Sequence, residues 1–320
     1  MSVGFRCRAT SVALHEPLRG TASVEQSWLL LEVPGPWAVD ALSSSRLPPG
    51  LGTALQEKAR ALGLRVLFIR RHGRHVPRGA QCFLASTGPG TPWLEQVHLD
   101  DPWDVLGLDL ERLARGQRCE MREVHGPLFC VCTHGRHDVC CSENGRPVAR
   151  ILSSRHPART WETSHIGGDR FAANLICFPH GLYFGRVPPY RAAAVVDAYS
   201  KGAIKLAYYR GRSSWSLPVQ AAEYWLRLKK ALAGVNDVRL LGHSIVGDGV
   251  VAARFITHGA HWTVRVRERV QAVRPLTCRA EHAAGPRTYD LIDVQLKHVV
   301  DPFWRRDLTA EASQHVGVHV

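Results

Sequence analysis

Twelve residues, Cys130-Val-Cys-Thr-His-Gly-Arg-His-Asp-Val-Cys-Cys141, place four cysteines and two histidines at the end of one apolar run. Shortly downstream, Trp161-Glu-Thr-Ser-His-Ile-Gly-Gly-Asp-Arg170 sets His165 and Asp169 on either side of two glycines. Cysteine thiolates are soft ligands that suit iron–sulfur clusters, zinc or Cu(I), and histidine and carboxylate groups complete such sites. The two segments therefore read as the halves of a metal or iron–sulfur site. The glycines allow a close backbone approach or a positive φ, so His165 and Asp169 can both point inward.

Leu128–Cys132 reads as a strand, which puts Cys130 and Cys132 on one face. A polar loop, Thr133–Val139, then leads to Cys140-Cys141, with eight residues between Cys132 and Cys141. Asn144-Gly145 reads as a turn into a helix over Arg146–Leu152 with Pro147 early in it. Thr160–Thr163 is a short strand. Asn174–Phe178 and Leu182–Gly185 form a hairpin around Pro179-His-Gly181, and Tyr190–Ser200 is a closing helix. A similar order precedes this segment. Trp28–Val33 reads as a buried strand, Pro36–Leu42 and Ala54–Ala61 as helical pieces, and Leu64–Arg70, Gln81–Ala85 and Leu94–Leu99 as strands. Asp104–Arg115 has helical spacing. Strand–helix–strand–hairpin–helix is the order of a thioredoxin-like core.

The expected fold class is α/β (α+β): tandem thioredoxin-like units, the second carrying the metal site, followed by a C-terminal α+β region. The expected boundaries are 1–118 for a thioredoxin-like unit without metal ligands, 119–203 for the thioredoxin-like unit that carries the metal site and 204–320 for the tail. In the tail, Pro218–Ala233 reads as a helix stopped by Gly234, Gly249–Thr257 and His261–Arg267 as a hairpin, and Arg287–Val294 as a strand. Gly242-His-Ser-Ile-Val-Gly-Asp-Gly249 looks superficially like a phosphate loop, but it lacks the lysine and the strand–loop–helix context.

At 320 residues and 45% hydrophobic, the chain can bury a sizeable core. No apolar run reaches membrane-spanning length, and Met1-Ser-Val-Gly-Phe-Arg-Cys-Arg8 lacks the layout of a signal peptide. A cytoplasmic protein with no membrane partner is expected. Nine cysteines, an odd number, argue against a disulfide framework. Cys7, Cys82, Cys119, Cys177 and Cys278 are scattered and read as small buried hydrophobes. The net charge of +13 is almost all arginine and dispersed, so no nucleic-acid partner is expected. Its densest group, Arg70–Arg78, reads as a solvated loop. His134 and His137 read as exposed loop residues, and Trp161 as core.

These residues resemble the sucrase/ferredoxin-like family, which is related to the thioredoxin-like [2Fe–2S] ferredoxins. The likeness rests on Cys132-x8-Cys141, on Trp161-Glu-x-Ser-His-Ile-Gly-Gly-Asp-Arg-Phe-Ala-Ala-Asn174 and on Leu182-Tyr-Phe-Gly-Arg-Val187. Glu16-Pro-Leu-Arg-Gly-Thr-Ala22 and Trp28-Leu-Leu-Leu-Glu-Val-Pro-Gly-Pro-Trp37 extend it toward the N-terminus. The resemblance implies a cluster held in the pattern Cys-x8-Cys…His-x-Gly-Gly-His. On that pattern Cys132, Cys141 and His165 are ligands, and Asp169 stands where the family has its second histidine. Asp169 can ligate through oxygen, Cys140 can replace it, or the site can be incomplete; Asp169 is the first choice, because it keeps the family's spacing.

The expected function is electron transfer through one [2Fe–2S] cluster with mixed Cys/His/Asp ligation. The alternative is a zinc-binding structural or interaction module on the same residues. Two thiolates, a neutral histidine and an aspartate leave an oxidised cluster at about −1, between about −2 for four thiolates and about 0 for two thiolates with two histidines. The potential should fall between those classes. No nicotinamide or flavin fingerprint is visible, which implies an external reductase and an electron acceptor. A Cys-x-x-Cys pair for thiol–disulfide exchange is lacking, and no carboxylate pair stands out for glycoside hydrolysis.

Overall fold

In the computed structural model, residues 4–44, 46–73 and 78–299 are described. A helix that sequence patterning did not suggest, Cys7–Ala13 (α1), precedes the first strand, Ser27–Glu32 (β1), which is buried at every position. A short turn of helix, Ala41–Ser44 (α2), and a longer helix, Leu51–Leu62 (α3), lead to Arg65–Arg70 (β2). The helix expected from Pro36 is therefore reduced to α2. Ala80–Ser86 (β3) and Trp93–Leu99 (β4) follow as an antiparallel pair. The helix expected over Asp104–Arg115 is split into a 3-10 turn, Pro102–Gly107, capped by Asp101, and Leu110–Ala114 (α4), capped by Asp109. Each aspartate accepts a hydrogen bond from a nearby backbone amide, and two competing caps divide one helical run into two.

The second unit follows a two-residue strand, Arg122–Glu123 (β5). It runs Leu128–Cys132 (β6), Val139–Arg155 (α5), Thr160–Thr163 (β7), Leu175–Phe178 (β8), Leu182–Phe184 (β9) and Pro189–Ser200 (α6). Here one expectation is corrected: α5 begins at Val139, not at Arg146. Asp138 caps it by accepting from the Cys140 amide at 2.8 Å. Gly145 is not a turn. A Cβ there would strike the carbonyl oxygen of Cys132, so the glycine lets α5 lie directly on the end of β6. Cys140 and Cys141 consequently sit in the first turn of a helix.

Both units have the thioredoxin-like arrangement. In each, the first two strands are parallel (β1–β2, β6–β7), the first and third antiparallel (β1–β3, β6–β8), and the last two a hairpin (β3–β4, β8–β9). They join edge to edge where β2 pairs antiparallel with β7, Ile69 opposite Thr163 and Arg70 opposite Glu162. With Tyr209–Arg212 (β10) added beside β9, a ten-stranded sheet results, in the order β10-β9-β8-β6-β7-β2-β1-β3-β4-β5. Leu29, Leu31, Leu55 and Leu84 build the core under α3 and α4, and Phe129, Val131, Val148 and Val196 the one under α5 and α6. On the opposite face one core serves both units: Trp28 meets Phe178 at 5.3 Å between ring centroids, and Phe83 meets Trp161 at 5.6 Å. Trp161 is core, as expected.

Beyond the second unit, Leu217–Lys230 (α7) packs on a separate antiparallel sheet, Arg239–Ile245 (β11), Val250–Thr257 (β12), Ala260–Val270 (β13) and Arg287–Val299 (β14). The segment that looked superficially like a phosphate loop forms the end of β11 and the turn into β12, just after a bulge between Leu240 and Gly242. Helix α7 ends at Lys230 rather than at Gly234, because Ala231 takes a left-handed conformation there. Arg210, Arg212 and Arg227 are buried, so part of the positive charge is internal. Residues 74–77 of the basic Arg70–Arg78 group and residues 1–3 lie outside the described residues. Among the described residues, no helix is long and apolar enough to cross a membrane.

Candidate metal centre

The site is built where three backbone ends meet. Strand β6 delivers Cys132, the first turn of α5 delivers Cys141, and the loop after β7 delivers His165 and Asp169. Ligand atoms of Cys132, Cys141 and His165 all lie within 4.8 Å of one another, as do those of His137, His165 and Asp169. Cys132, Cys141 and Asp169 are buried, whereas His165 keeps about a quarter of its side chain exposed, 23%. The Cys141 thiol donates to Asp169 Oδ1 at 3.0 Å. His165 Nδ1 lies 2.9 Å from the same oxygen.

The two glycines do what their type suggests. Gly167 and Gly168 have φ of +92° and +75°. A side chain at Gly167 would meet Ser23, and one at Gly168 would meet the Arg210 guanidinium. Arg210, on β10, donates to the Gly167 carbonyl at 3.0 Å and to Asn174 Oδ1 at 2.9 Å. Asn174 in turn donates to the Gly168 carbonyl at 2.8 Å, and Arg65 donates to the His165 carbonyl at 2.9 Å. Asn174 falls inside a recognisable motif, but nothing in the sequence marks Arg210. Its partners, the Gly167 carbonyl, Asn174 Oδ1 and the hydroxyl and carbonyl oxygens of Thr21, lie 36 to 189 residues away, a separation for which spacing carries no signal.

His134 departs from expectation. It is 2% exposed and accepts from the His165 amide at 3.3 Å through Nδ1. Its Nε2 therefore carries the proton and donates to the Ala38 carbonyl at 2.6 Å. His137 is partly exposed and stacks on His165, with ring centroids 3.8 Å apart. Val39, Ala41, Leu42, Arg65, His137 and His165 help to line a cleft of about 320 Å³ that opens the His165 side of the site toward solvent. Residues of the first unit thus form one wall of the centre.

Electrostatics favour an anionic, cation-binding pocket. Burial opposes the His165 charge, but Asp169 and the Cys132 sulfur beside it win and raise its pKa to about 9. Burial likewise opposes the Asp169 carboxylate, and His165 and the Cys141 thiol hold it below its usual range. Cys132 and Cys141 act as a pair. The contact with the Cys141 thiol, aided by His165, makes a first thiolate easy to form at Cys132. A second thiolate beside the first is strongly disfavoured without an added positive charge.

The donors present fit a thiophilic metal group. Asp169 Oδ2 is buried without a hydrogen-bond partner among the described residues. His165 Nδ1 is in the same condition, since its approach to Asp169 lacks hydrogen-bond alignment. Buried polar atoms without partners are uncommon, and here both belong to a set that includes two thiols. Cys140 does not share this arrangement. Its sulfur lies against Cys278 at 3.4 Å, in a separate group with Cys7 and Asp138.

Comparison with known proteins agrees with the family reading. The chain is 30% identical over 103 residues to altered inheritance of mitochondria protein 32 of Meyerozyma guilliermondii, covering 29% of this chain and 36% of that protein. It is 26% identical over 96 residues to the protein of the same name from Candida glabrata, covering 25% and 31%. It thus spans about a third of the length of the curated relatives it matches. Two cysteine-to-serine variants of the thioredoxin-like [2Fe–2S] ferredoxin from Aquifex aeolicus are similar to 27% of this chain over 99% of their own length, at 15% and 16% identity and a TM-score of 0.24. The model of the sucrase/ferredoxin-like family matches residues 18–211, well over half of the sequence, and the chain belongs to that family.

Proposed function

We propose that this protein transfers electrons through one [2Fe–2S] cluster held by Cys132, Cys141, His165 and Asp169. The observation that carries the reading is the meeting of two buried thiols and a buried carboxylate at the part-exposed His165 imidazole, with two of these polar atoms lacking hydrogen-bond partners among the described residues. A relative in structure is named as a [2Fe–2S] ferredoxin, which accords with it. When bound, the cluster supplies a one-electron couple. The chain's own part is to bury the sulfurs and hold His165 at the rim. The Arg210–Asn174 contacts keep the Gly-Gly loop fixed, which holds His165 and Asp169 in register. His165 is the most exposed of the four ligands, so an external reductase and an acceptor would dock over the cleft beside His137 and His165.

A second reading, a single zinc ion, is favoured by one observation: the donor atoms of Cys132, Cys141 and His165 lie within 4.8 Å of one another, as the ligands of one tetrahedral ion would. Anaerobic purification separates the two. Brown protein with about two iron and two sulfide per chain and an EPR signal on reduction supports the cluster; colourless protein with zinc lost in Cys132→Ser overturns it. Asp169→Ala should remove the iron, whereas Asp169→His should keep it and raise the potential, on the order of 100 mV, by removing one negative charge. Iron retained in Asp169→Ala but lost in Cys140→Ala would reverse the ligand assignment.

A further inference from the structure

A second group of side chains able to hold a metal adjoins the first through Cys140 and Cys141, and the function proposed above does not use it. Cys7 starts α1, Cys140 lies in the first turn of α5, and Cys278 lies in the segment between β13 and β14. The three come from distant parts of the chain, yet Cys278 Sγ is 3.4 Å from Cys140 Sγ and 3.5 Å from Cys7 Sγ. Asp138 completes the group. Its carboxylate is fully buried and lies 3.6 and 3.8 Å from the Cys7 sulfur. All four ligand atoms fall within 4.8 Å of one another.

From this geometry we infer that Cys7, Asp138, Cys140 and Cys278 bind a structural zinc ion, independent of the cluster site. Three thiolates and a carboxylate are an accepted zinc set, and zinc–sulfur bonds of about 2.3 Å in a tetrahedron place sulfurs about 3.8 Å apart. The observed separations are close to that edge. Cys278 is almost equally near to both other sulfurs, so neither pair is singled out for a disulfide, while one central ion serves all three. The surroundings already fix the ligands. Asp138 accepts from the Cys140 amide at 2.8 Å and from the Cys278 amide at 2.6 Å, and the Cys7 amide donates to Cys278 Sγ at 3.4 Å. Contacts of this kind orient ligands in metal sites. The ion would tie α1 and the β13–β14 segment to the helix that also bears Cys141. Because α1 packs on the 3-10 turn Asp169–Phe171, the tie also backs the loop that presents Asp169.

The test is zinc, iron and sulfide content of the full-length protein and of Cys7→Ser, Cys278→Ser and Cys132→Ser. We expect about one zinc per chain, reduced at least tenfold in Cys7→Ser and Cys278→Ser and unchanged in Cys132→Ser, with iron following the opposite pattern. Two zinc ions, one lost in each class, would sink the cluster reading and leave this one standing. Zinc that survives both Cys7→Ser and Cys278→Ser, or that vanishes only in Cys132→Ser, overturns the inference. Wild-type protein that neither carries nor takes up zinc also overturns it, whether its thiols are free or joined in a disulfide. Should the serine variants fail to fold, Cys278→His keeps a ligand: it should retain zinc and, loaded with Co(II), show a visible spectrum shifted from wild type. A cobalt spectrum identical to wild type would rule Cys278 out.

Discussion

The first and second units share strand order and connections, but only the second brings two thiols, an imidazole and a carboxylate together at the ends of its elements, in Cys132, Cys141, His165 and Asp169. Where β6 ends in Cys132, β1 ends in Glu32, whose carboxylate accepts from the Gln81 amide at 3.1 Å. The loop after β7 carries His165 and Asp169, whereas the corresponding chain after β2 carries His72, whose Nδ1 lies 2.7 Å from Glu162 of the second unit. Arg70 pairs with the same carboxylate at 2.7 Å and lies over the Trp37 ring at 4.3 Å. Trp37 meets His134 edge-on at 5.7 Å, and the Ala38 carbonyl accepts the His134 proton. One copy of the architecture thus presents the candidate ligands, and the other uses the same positions to wall in its neighbour. The backbone arrangement leaves both uses open; side chains at strand ends decide between them.

The largest expected effect breaks this contrast at its centre. Cys132→Ala should abolish bound iron, while Cys82→Ala, equally buried in the first unit, should leave iron per chain unchanged. Loss of iron in both would mean that fold stability, not ligation, governs loading. Next in size, Glu162→Ala removes the carboxylate that takes Arg70, His72 and the Thr133 hydroxyl. Breaking a buried pair from one side should cost about 3 kcal/mol in urea unfolding, and a loss under about 1 kcal/mol would show that the two units do not depend on this junction. The smallest effect compares glycines. Gly168→Ala combines a positive φ with a collision against Arg210 and should cost about 2 kcal/mol and lower iron occupancy. Gly73→Ala meets open space, so only its φ of +87° is strained, and about 1 kcal/mol with no change in iron is expected.

Most strands of both units were readable because they are short apolar runs, such as Trp28–Leu31, Val66–Ile69 and Leu128–Cys132, bounded by polar or turn residues. The start of α5 was not. Its cap, Asp138, sits in a stretch whose polarity suggests a loop, and Asn144-Gly145 mimics a turn until the proximity of Cys132 is known. His165, Asp169 and their glycines were legible as a unit because their contacts are local. Cys7 and Cys278 read as ordinary buried cysteines, since only the tertiary path of the chain brings them to Cys140. Arg210 was silent for the same reason.

Gly145 has one more consequence. With no side chain to hold them apart, α5 and β6 touch through backbone, so the two cysteine-bearing elements are locked together before any metal arrives. A centre that cycles between oxidation states works fastest when its ligands keep nearly the same positions in both. On the electron-transfer reading, the hydrogen atom that Gly145 carries in place of a methyl group would favour a low reorganisation energy, because Cys132 and Cys141 hang from backbone already in contact. A bulkier residue there would push α5 off the end of β6 and loosen that restraint.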